Sequence, residues 1–173
     1  MSLIMILLVG GISIYLSTLF REPLLEKVGK RNLYMKLERA NWYRNPWLSG
    51  GFLFLVNATL FLLTIAILFF LLDLMIPYFH FIIMFLAVLA SIYSWSILNR
   101  AWNGTKIHRF VMGLVGSSFY IFLTGVFVYW YVTLEPQFPG DDTFMAALGL
   151  MIAIIVTTVA AITCLIFTGF RRN

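Results

Sequence analysis

Charged residues are scarce in this sequence, 11% of the chain against the ~25% usual in soluble domains, while 62% is hydrophobic against the usual ~45–50%. That imbalance excludes an ordinary soluble domain. Cysteine is almost absent: Cys164 stands alone, which rules out an internal disulfide and a cysteine-rich metal site. Catalytic patterns are missing as well. There is no His-x-x-x-His, no paired glutamates on one apolar run, no glycine-rich phosphate loop, and no Ser or Cys with a base at a matching depth. The chain is therefore expected to be no enzyme, with no catalytic residue, metal ligand or cofactor. The net charge of +5 lies between apolar runs and does not point to nucleic acid.

What the sequence does have is apolar length. A hydrocarbon core of ~30 Å takes roughly 17–25 helical residues to cross, and five runs meet that length, at about 3–20, 50–76, 78–98, 110–134 and 145–167. They are continuously apolar rather than alternating, so they read as helices and not as barrel strands. The first run has no Lys or Arg before it and no convincing small-x-small cleavage site after it, and reads as a retained helix rather than a signal peptide. The expected fold is all-α, a polytopic membrane bundle in one domain covering 1–173. Between the first two spans, a connector over 21–49 carries seven of the twelve Lys and Arg residues. Leu33, Leu37 and Ala40 recur there at helical spacing, which predicts an amphipathic helix on the headgroups, broken at Asn45-Pro46.

The charges assign the sides. Arg21 to Arg44 follow span one, Arg100, Lys106 and Arg109 follow span three, and Arg171 and Arg172 follow span five. With five crossings, all twelve cations face one compartment. Glu135, Asp141 and Asp142 face the other, which has no Lys or Arg. The positive-inside rule then places the N-terminus outside and the C-terminus in the cytoplasm, and the expected location is the plasma membrane, a bacterial inner membrane or its equivalent. Arg100, Lys106 and Arg109 are candidate contacts to anionic lipid headgroups. Trp42, Trp47, Trp102, Trp130 and Tyr131 fall near span ends, as an interfacial aromatic belt does.

Polar residues inside the runs are few. Asp73 lies four residues before Pro77, about 6 Å from the end of its helix, and His80 opens the next span at the same level. The pair is a candidate pH sensor, although the water boundary of a hairpin accounts for both residues. Asn57 lies deeper, about seven residues into span two, and is expected to bond to a neighbouring helix. Small residues mark packing faces. Gly149, Ala153, Thr157 and Ala161 follow one another every four residues in span five, and Gly113 and Ser117 are four apart in span four. The reading these features support is a non-enzymatic membrane protein acting through helix contacts, as an accessory or regulatory subunit of a membrane complex or as a homo-oligomer. Its expected partners are membrane lipids and another membrane protein or a second copy. The alternative is a small transporter or channel with a polar path through Asn57 and the Ser and Thr residues of spans three to five.

Overall fold

The computed structural model describes residues 37–74, 79–136 and 142–170. The expected first span, the connector up to residue 36, Asp141, Arg171 and Arg172 lie outside them. The described residues form four long helices: α1 (Pro46–Asp73), α2 (Phe79–Ala101), α3 (Lys106–Val132) and α4 (Phe144–Gly169). Each is long and apolar enough to cross a membrane.

The ends differ from the expected spans by a few residues, for local reasons. Pro46 opens α1, where its missing N–H would have had no partner in any case. Asn45 caps this turn, its Oδ1 accepting from the Trp47 N–H at 3.0 Å and its carbonyl from the Ser49 N–H at 3.0 Å. Helix α3 starts at Lys106, four residues before the expected span, because Thr105 is its N-cap and accepts from the His108 N–H. In the expected connector, residues 41–44 form a 3₁₀ turn whose Tyr43 is buried in the bundle.

Contacts between side chains fix the arrangement. Trp95 of α2 meets Asn57 of α1, and Leu98 of α2 meets Tyr43 just before α1, so these two run antiparallel. Leu53 lies against Gly116 and Val115 against Gly50, which makes α1 and α3 parallel. Gly113 meets Gly169 and Thr124 meets Thr157, so α3 and α4 are antiparallel. The helices stand in the cyclic order α1–α2–α4–α3, and the four-residue link from Trp102 to Thr105 joins helices on opposite corners. Two glycines make the close packing possible. A Cβ on Gly113 would lie 2.9 Å from the Gly169 backbone, and one on Gly116 would lie 2.1 Å from Leu53 Cδ2.

Burial is uneven along the bundle. The buried residues lie where α1 and α3 begin and α2 and α4 end, the end that carries Arg44, Arg100, Lys106 and Arg109. From 58 to 94 and from 121 to 156, no described residue is buried. The far half instead presents Leu62, Phe69, Phe70, Phe81, Phe85 and Ile152 at its surface.

Candidate functional site: a polar clasp at the basic end

Association of helices in lipid gains little from the hydrophobic effect, because lipid tails are as apolar as leucine. Close packing and hydrogen bonds across helices have to supply the specificity. In this bundle they are concentrated in three layers at one end.

The deepest layer centres on Asn57, which is completely buried. Its Oδ1 accepts from Trp95 Nε1 of α2 at 2.8 Å, and its Nδ2 donates to the Gly116 carbonyl of α3 at 3.0 Å and faces Cys164 Sγ of α4 at 3.6 Å. One amide thus ties its own helix to the other three. Trp95 also meets the rings of Tyr120 and Phe167.

The second layer joins Asn99 to Arg109. The Asn99 Oδ1 accepts from Arg109 Nη1 at 3.1 Å, and its Nδ2 donates to the carbonyl of Phe167 and, at 3.4 Å, to that of Phe170. Arg109 Nη2 donates to the Trp102 carbonyl at 2.8 Å. Arg109 is only 5% exposed. A buried cation is costly unless its donors are met, and here α2 and the link after it supply acceptors.

The third layer closes the end. The Tyr43 hydroxyl donates to the Leu98 carbonyl at 2.7 Å, and its ring meets the Trp102 ring edge-on at 6.0 Å. Burial pushes the Tyr43 phenol above the usual tyrosine range, and the Arg109 charge pulls it partly back. Trp102 is buried as well, whereas Trp42, Trp47, Trp130 and Tyr131 are exposed near helix ends. The Trp102 ring lies over Gly104, where a Cβ would come 2.6 Å from it.

The residues singled out in the sequence are distributed as follows. Asn57, Gly113, Ser117 and Thr157 lie inside the bundle, and Thr157 shares a 2.9 Å hydrogen bond with Thr124 across α3 and α4. Ala153 and Ala161 are half-buried. Gly149 is exposed, with nothing within 4 Å of a Cβ placed on it. Asp73 and His80 close α1 and open α2; Asp73 is exposed, His80 is half-buried against the Phe81 ring, and among the described residues the two form no ion pair. Arg100 and Lys106 are exposed. Arg109, expected beside them as a headgroup contact, is drawn into the interior instead.

Sequence reasoning missed Trp95, Asn99, Tyr43 and Cys164. A signal was present for part of this set: Trp95 and Asn99 are four apart on one face of α2, as Arg109, Gly113 and Gly116 share a face of α3. Cys164 has an amide beside it and no base, and among the described residues no three His, Cys, Asp or Glu side chains approach closely enough to bind a metal. Comparison with family models, with curated proteins and with solved structures finds no match.

Proposed function

We propose that this chain is a non-enzymatic integral membrane protein that works through helix contacts, as an accessory or regulatory subunit of a membrane complex or as a homo-oligomer. The observation that carries this reading is the uneven burial: a clasped basic end, and a far half in which no described residue between 58 and 94 or between 121 and 156 is buried. Helices that bury so little among themselves have apolar faces to offer to another span, and the open Gly149 lets a neighbouring backbone approach closely. The basic end faces the cytoplasm, with Arg100 and Lys106 toward anionic headgroups. Five crossings place the N-terminus outside.

A mass measurement in mild detergent, with identification of co-purifying chains, tests the reading. Gly149→Leu and Ala153→Leu should release a partner or a second copy while helix content is unchanged. Assembly that withstands both substitutions overturns the proposal. Solute flux through reconstituted vesicles, abolished by Asn57→Leu, would replace it with the transporter reading.

A further inference from the structure

Between α3 and α4 lies a groove of about 280 Å³, lined by Ser117, Ile121, Thr124, Thr158, Ala161, Ile162 and Leu165. Its hydroxyls are already occupied. Ser117 donates to the Leu114 carbonyl at 3.1 Å, Thr124 to that of Tyr120 at 2.9 Å, and Thr158 to that of Ile154 at 2.7 Å. What remains for an occupant is methyl and methylene surface. Along α3 the groove lies between two fixed points, the Gly113 approach to Gly169 and the Thr124–Thr157 hydrogen bond.

Size narrows the choice of occupant. Over the ~10 Å of helix from Ser117 to Thr124, about 280 Å³ leaves a section of roughly 27 Å², against ~80 Å² for a helix 10 Å across. A whole helix cannot sink into it, whereas a single acyl chain fills its width. Charge then selects the headgroup. Lys106, Phe110, Leu114, Ser117, Ile121 and Thr124 fall on one face of α3 at helical spacing. Lys106 at the head of that face is exposed, as are Phe110 and Leu114. Ser117 is eleven residues, ~16 Å, from Lys106 along the helix, about half the ~30 Å hydrocarbon core. A lipid with its phosphate at Lys106 would therefore bring the distal part of one chain to the groove.

We infer that the α3/α4 groove is a binding site for an anionic glycerophospholipid, the distal part of one acyl chain entering it at Ser117 and the phosphate on Lys106. The site rests on the membrane-spanning reading and on the headgroup contact of Lys106 but does not involve Gly149 or Ala153, so Gly149→Leu should leave it intact.

Protein reconstituted with equal amounts of phosphatidylglycerol and phosphatidylcholine, extracted gently and weighed by native mass spectrometry, reports which lipids are retained. The wild type should hold phosphatidylglycerol in excess. Lys106→Gln removes one surface cation, worth about fivefold in binding an anionic lipid, and should lower retention of phosphatidylglycerol alone. Ile121→Trp, which fills the groove from its exposed rim, should lower retention of both lipids; Thr158→Phe fills it from α4 should the first variant fold poorly. Equal retention of the two lipids by the wild type overturns the inference, as does retention unchanged when the groove is filled. Loss of a co-purifying polypeptide on filling, with lipid unaffected, would assign the groove to a protein and overturn it too.

Discussion

Leucine in place of Asn57 keeps roughly the volume of the side chain and removes its three polar contacts. Trp95 Nε1 would then be left buried without an acceptor, so Asn57→Leu should destabilise the fold by about 1–3 kcal/mol, read from denaturant unfolding in detergent. A double-mutant cycle with Trp95→Phe separates the bond from its surroundings, and the coupling should be about 0.6 kcal/mol and no more than about 1.7. A coupling of zero would mean that the amide and the indole are merely neighbours. Tyr43 gives a pH test. Its phenol ionises less readily folded than unfolded, so its contribution is complete below the ordinary tyrosine value of ~10 and is lost as pH rises above that value. Wild-type protein should therefore lose more stability than Tyr43→Phe on moving from pH 9 to pH 11, and parallel curves would refute this. At this scale the sequence was partly legible. Asn57 stands out because an amide in an apolar run needs a partner, but nothing in the run itself says that the partners are an indole, a backbone carbonyl and a thiol. Those are set by helix rotation, which composition does not encode.

Helix identity was the most readable feature, because about twenty apolar residues admit few alternatives in lipid. Helix ends were less so. Reading the spans by hydropathy alone began the fourth at Phe110 and left Arg109 on a loop. Thr105 caps the helix earlier, which turns Arg109 toward Asn99 rather than toward the headgroups. The small-residue faces were also ranked by spacing alone, and spacing does not distinguish a face that meets a helix from one that stays open. Gly116 and Gly149 make the contrast measurable. Gly116→Ala forces a methyl against the fully buried Leu53 and should cost about 1–3 kcal/mol, as overpacking does; Leu53→Ala in the same chain should return part of that loss. Gly149→Ala should leave unfolding within about 0.5 kcal/mol of wild type. Equal effects at the two glycines would contradict the packing described.

Across the whole molecule, stability should follow burial. Hydrogen exchange in detergent should be slowest for amides near Asn57, Trp95, Gly116 and Cys164, and faster in the stretches 62–72, 81–90 and 145–153, where no described side chain is buried. Uniform exchange along the four helices would show that the far half is held as firmly as the basic end. Charge patterning made the gathering of Arg44, Arg100, Lys106 and Arg109 at one end readable in advance. The concentration of polar bonds at that end was not, since it arises only when four separate segments converge.

The partners of Asn57 also have an order of synthesis. Trp95 leaves the ribosome 38 residues after Asn57, Gly116 59 residues after it and Cys164 107 residues after it. During biogenesis the amide enters the bilayer before any of them, finds the indole when the second helix arrives, and is enclosed only when the last helix docks. Nascent chains truncated after Thr133 should accordingly hold the first two bonds without the thiol contact, and the insertion machinery or a chaperone would meet that unfinished form.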